Sequence, residues 1–128
     1  MKFSIEQAQS NPVSEFATCL LHSVTGAHML HLATYSLAEH KALEAFYAAI
    51  GGLIDSFVEA YQGKYANRVS YVAGFDVPSK PSEYILYLKD EVAALRVAKG
   101  FPQDSELQNI TDEIASLIDG TLYQLTLS

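Results

Sequence analysis

The chain has 128 residues, 49% hydrophobic and 18% charged, the composition of a folded globular domain rather than a disordered segment. Fifteen acidic against eight basic residues leave a net charge of −7. That balance excludes a broad phosphate-binding surface, which needs clustered Lys and Arg, so nucleic acid is not an expected partner.

Residues 1–11 hold no apolar stretch long enough for a signal peptide. No window reaches the roughly 18 apolar residues of a membrane span. Cys19 is the only cysteine. No intrachain disulfide can form, and a reduced, cytoplasmic setting fits. Its place in an apolar-periodic run reads as a buried, inert thiol.

Helical periodicity dominates, and strand signals are sparse. Asn11-Pro12 is a helix-start pair, an N-cap type followed by proline at the first helical position. Phe16, Leu20, Val24 and Ala27 then recur at helical spacing, and His31 continues their stripe. This predicts α1 over 12–33. Ser36-Leu37-Ala38-Glu39 fits the S-x-x-E capping box and predicts α2 over 37–62, with Gly63 as its stop. A break at 34–36 is favoured over one unbroken helix because β-branched Thr34 and the cap pattern coincide.

Between 63 and 81 the pattern fades. Gly74, Pro78 and Pro81 punctuate a long connection in which Tyr65, Tyr71, Val72 and Phe75 are apolar enough to pack. Ile85, Leu88, Val92 and Leu95 predict α3 over 82–99, closed by Gly100 and Pro102. Leu107, Ile110, Ile114, Leu117, Leu122 and Leu125 predict α4 over 104–126, with Ser105 and Gln108 as a second capping box. Tyr84, Tyr87 and Tyr123 read as packing residues. Asp90-Glu91 and Asp112-Glu113 read as solvent-facing. Short α1–α2 and α3–α4 joins with a long α2–α3 join describe an all-α, single-domain four-helix bundle over 1–128. Its single crossover connection is typical of ferritin-like bundles.

On a helical wheel, Leu43, Phe46, Ile50, Leu53, Ile54 and Phe57 form the core arc of α2. A second arc holds only Ala42, Ala45, Ala49, Gly52, Ser56 and Ala60. Two mid-helix glycines, Gly51 and Gly52, cost about 1 kcal/mol each relative to alanine. This arc reads as covered by a partner subunit; the plainer reading is alanine used as a good helix former. A third arc, about 100° wide, carries His40, Glu44, Asp55 and Glu59. Oxygen and nitrogen donors on one side of a helix suit a hard or borderline ion such as iron. The plainer reading is a solvated charged edge, and for His31 a satisfied core histidine. His28, three residues before His31, shares its face, though such a histidine is more often on the surface.

His40-x-x-x-Glu44, then ten residues, then Asp55-x-x-x-Glu59, resembles the second helix of the Dps-like mini-ferritins, with His31 matching the histidine near the end of their first helix. The run from Ile110 to Leu127 is similar to their last helix, and about three quarters of the chain shares the likeness. The resemblance implies a ferritin-like bundle that oxidises and sequesters Fe2+ as Fe3+, a ferroxidase, at a site shared between two subunits. By resemblance, Asp55 and Glu59 are the principal carboxylate ligands, and His31, His40 and Glu44 come from the two-fold partner. Zinc is the expected replacement ion. A homo-oligomer through α2, as a dimer or a dodecameric shell, follows from the same likeness.

The chain departs from that pattern in several places. The gap from His31 to His40 is short, Glu44 stands where Asp is usual, and there is no Trp. Tyr35 and Tyr47 are candidate substitutes as redox-active aromatics. The Lys-rich tail that relatives use on DNA is missing. The chain also looks similar to small phage-encoded proteins of this type. The rival expectation is a helical interaction or structural protein that keeps the bundle and lacks iron chemistry.

Overall fold

The computed structural model describes residues 11–128; the expectation of no signal peptide at the N-terminus lies outside them. The four helices are α1 (Pro12–Ala33), α2 (Leu37–Tyr65), α3 (Pro81–Leu95) and α4 (Ser105–Leu125), with no strand among the described residues.

The two caps read in the first half of the chain form. The Asn11 side-chain oxygen accepts from the amides of Val13 and Ser14 at 2.9 and 3.4 Å. These are two of the donors that every helix start leaves orphaned. Ser36 Oγ accepts from the Glu39 amide at 3.2 Å. The return half of that capping box differs. The Ser36 amide donates to Thr34 Oγ1 at 3.0 Å, and the Thr34 hydroxyl donates to the Glu39 carboxylate. Thr34 therefore relays what Glu39 was expected to do directly.

Five boundaries move, those of α4 by one residue at each end. Gly63 does not stop α2, which runs to Tyr65 and closes on Ala66 in the left-handed conformation, φ 50°. The added residues are tied to the start of α4. Lys64 Nζ lies 2.9 Å from Glu106 and 3.4 Å from Asp104, and the Tyr65 hydroxyl donates to Asp104. The Tyr65 bond, with Lys64 beside it, holds the Asp104 carboxyl below its usual range.

Helix α3 begins at Pro81 and ends at Leu95, four residues before its predicted end. The Arg96 guanidinium donates to Gln108 and Asp112, while the Arg96 carbonyl accepts from the side chains of Gln103 and Gln108. Those bonds draw the chain out of the helix. They also remove the second capping box. Gln108 is committed to the carbonyls of Arg96 and Pro102, and Asp104, at the N-cap of α4, makes no side-chain cap bond.

Helix α2 packs on α1 and α4, and α3 packs on α4 and α1. The shared core holds Leu43, Phe46, Ile50, Ile54 and Phe57 from α2, fully buried as the wheel predicts, while Leu53 is half-buried. Phe57 sits 4.7 Å from Phe16 and 5.5 Å from Phe101, ring centre to ring centre, an aromatic knot at one end of the bundle. Ala42 is buried and Ala60 half-buried, so the exposed small arc of α2 shrinks to Ala45, Ala49, Gly52 and Ser56, with Ala48 exposed beside it. Tyr84 is buried, while Tyr87 and Tyr123 are exposed, Tyr87 with its ring parallel to that of Tyr84.

Residues 66–80 have no regular structure and lie along α1. The Val72 amide donates to Thr18 Oγ1 at 3.4 Å, and the Ser70 and Ser14 hydroxyls pair at 3.1 Å. Among the described residues, no helix is long and apolar enough to cross a membrane.

Candidate metal centre

The corner between α1 and α2 is only three residues long. It therefore brings the last turn of one helix against the first turn of the next. His31 enters from α1, buried; His40 enters from α2, half-buried; Glu44 follows one turn later, exposed. One ring nitrogen of each imidazole and one Glu44 carboxylate oxygen lie within 4.8 Å of one another. The tight α1–α2 gap, a departure from the mini-ferritin spacing, is what places these three side chains together within one chain.

The two imidazoles are bonded reciprocally. His31 Nδ1 donates to the His40 carbonyl at 2.7 Å, and His40 Nδ1 donates to the His31 carbonyl at 2.8 Å. A carbonyl only accepts, so each Nδ1 carries a proton, and in the neutral imidazole Nε2 is the atom with the free lone pair. A metal-ligating histidine is ordinarily oriented by such a bond from its other nitrogen. The donor set, two imidazoles and one carboxylate, fits zinc or ferrous iron.

The three donor atoms lie within 4.8 Å of one another; donors about 2.1 Å from a common ion stand roughly 3.0–3.5 Å apart. The rings also stack, with centres 3.6 Å apart and planes 20° from parallel. In-plane lone pairs from nearly parallel rings do not meet at one point. Taking up an ion requires one ring to swivel, which breaks one of the two cross-bonds. The long, exposed arm of Glu44 can close the remaining gap.

Tyr47, one turn beyond Glu44, completes the surroundings. It stacks on His28 at 4.3 Å and meets His31 edge-on at 5.4 Å. His28 is thus occupied with Tyr47, its ring centre 5.8 Å from that of His31. Tyr35 is fully exposed and makes no contact of this kind among the described residues. The sequence offered Tyr47 only as a redox-active aromatic; seven residues after His40, it falls on the same side of α2.

Asp55 and Glu59 do not join this cluster within one chain. Asp55 is eleven residues beyond Glu44, roughly 16 Å along the helix axis. Both are exposed, and neither makes a salt bridge or side-chain hydrogen bond among the described residues. The stripe read from the wheel is therefore present as an exposed edge, with its two halves separated along α2.

No curated protein and no solved structure matches the chain. The family of unknown function DUF5856 matches residues 31–125. That span begins at His31 and takes in His40, Glu44, Asp55 and Glu59, so the chain belongs to this family of unknown function, and the whole candidate centre lies inside the matched region.

Proposed function

We propose that this protein binds a divalent transition-metal ion at the α1–α2 corner, with Fe2+ as the first candidate, and that a second copy of the chain completes the site. The observation that carries the reading is the meeting of His31, His40 and Glu44, with Asp55 and Glu59 left exposed on the same edge of α2. A two-fold axis beside residues 49 and 50 sets position 40 opposite position 59, and position 44 opposite position 55. Both ends of such a pair are then alike, as an isologous contact demands. Ala45, Ala48, Ala49 and Gly52, all exposed, lie around that axis and let two helices approach closely.

In this reading the bundle is ferritin-like, and residues 66–80 form its crossover connection. The pairwise packing of the helices supports that topology. Fe2+ is the substrate. The imidazoles and Glu44 admit it, and Asp55 and Glu59 of the partner copy supply the hard oxygen donors that favour Fe3+. A larger shell belongs to the same proposal.

The cross-bonded imidazoles favour a second reading. The pair is complete without an ion, and it fastens the corner of a non-catalytic interaction protein. One experiment separates the two. Anaerobic protein is titrated with Fe2+, then exposed to oxygen or peroxide while ferric absorbance is followed and the assembly is sized. The first reading expects faster oxidation than in buffer, lost in Glu44→Ala and in Glu59→Ala, and a dimer or larger particle. Both variants change exposed residues and should fold. Retained rates in both, or a monomer with no affinity for Fe2+, refute it in favour of the second.

A further inference from the structure

We propose that a cleft between α1, α3 and the 66–80 connection binds a compact organic cation, an ammonium carried on a small apolar body. The cleft has a volume of about 490 Å³ and shares no residue with the candidate metal centre. That size suits a small ligand.

Its charge is one-sided. Glu15, Asp76 and Glu91 line it, and among the described residues no Lys or Arg does. Among the same residues, His22 is its one nitrogen base. Burial holds that imidazole below its usual range, opposed in part by a backbone hydrogen bond to Val72. The lining therefore favours a positive guest and disfavours an anion. Burial, and then the nearby Glu91, push the Glu15 carboxyl above its usual range. A cation between the two acids relieves that repulsion.

Its walls are aromatic. Phe75 stacks on His22 with ring centres 4.4 Å apart. Tyr84 and Tyr87 lie nearly parallel, 8° between planes, with centres 6.4 Å apart. Aromatic faces attract a desolvated cation and also pack its apolar part.

No fully buried polar side-chain atom among the described residues lacks a partner. The Tyr84 hydroxyl, on a side chain that is 2% exposed and lines the cleft, makes no protein hydrogen bond among the described residues and keeps access to solvent, so a guest can bond it. Glycine at position 26 makes its placement possible. A Cβ there would stand 2.6 Å from the Tyr84 oxygen.

The test is calorimetric titration at neutral pH with benzylamine, benzyl alcohol and sodium benzoate, three probes of similar size and different charge. Benzylammonium should bind at least about tenfold more tightly than the alcohol, and benzoate should not bind. Glu91→Gln removes a like charge beside Glu15 and should fold normally while weakening benzylammonium about tenfold. Phe75→Ala, at a partly exposed ring, should also weaken it. Glu113→Gln, at an exposed acid on α4, should change nothing. Equal binding of amine and alcohol, binding of benzoate, unchanged affinity in Glu91→Gln, or no binding of any probe at millimolar concentration would each overturn the proposal.

Discussion

Replacing His40 by alanine separates the structural role of the α1–α2 corner from its role toward metal. The His31 carbonyl belongs to the last turn of α1, where no further helical amide reaches it. The His40 Nδ1–H, at 2.8 Å, is its partner. Leaving a partly closed carbonyl unbonded costs about 1–3 kcal/mol. Water reaches this corner because His40 is only half-buried, so the lower half of that range applies. Loss of the stacked ring adds about 0.5 kcal/mol. Metal-free His40→Ala should therefore be destabilised by about 2 kcal/mol, a fall of roughly 8 °C in Tm for a domain of this size. Glu44→Ala, at an exposed carboxylate with no partner among the described residues, should stay within about 0.5 kcal/mol of wild type.

With Zn2+ as a redox-inert ion at a hundred times its Kd, the wild-type protein gains about 2.7 kcal/mol. A hundredfold loss of affinity in Glu44→Ala leaves about 0.4 kcal/mol of that gain. Thermal unfolding by circular dichroism, with chelator and with Zn2+, measures all four quantities. An unchanged Tm in metal-free His40→Ala would refute the structural role of the cross-bonds. A full metal-induced rise in Glu44→Ala would refute the assignment of the site.

Phe57→Ala removes the ring shared by Phe16 and Phe101 and should cost about 3–5 kcal/mol, read as a lower urea midpoint with little change in m. Gly52→Ala meets nothing within 4 Å and should stabilise an isolated chain by about 1 kcal/mol; Gly52→Arg should split any α2-mediated dimer on sedimentation, and an unaltered dimer would remove this face from the interface. Burial pushes the Cys19 thiol up to about 12, so at pH 8 only about one molecule in ten thousand holds the reactive thiolate. Alkylation by iodoacetamide should be slow there, quicken as pH rises, and become fast in urea; rapid modification of the folded protein at pH 8 would contradict the burial.

The helix starts with side-chain caps were legible because they are local. Asn11-Pro12 and Ser36 each place a side-chain acceptor over amides two or three residues away, and both caps form, with Thr34 inserted in the return half of the Ser36 box. The misplaced ends are those decided by distant partners. Gly63 looked like a stop, but Lys64 and Tyr65 have Asp104 and Glu106 to hold them. Gln108 looked like a capping residue until Arg96 competed for it. At the candidate centre, periodicity alone put His40, Glu44, Asp55 and Glu59 on one edge. The closeness of His31 to His40 depended on the length of the corner, which the sequence marked by the short gap. The stacking of the two rings and the crossed bonds to each other's carbonyls left no periodic signature.

The contact of Gly26 with Tyr84 reaches beyond local packing. Helices α1 and α3 are two walls of the same cleft, and the bare backbone at position 26 sets how near they come. Any side chain there would act as a shim, prising the walls apart and widening the space between them. If the cleft binds as proposed, one residue outside its lining would then limit how large a guest is admitted.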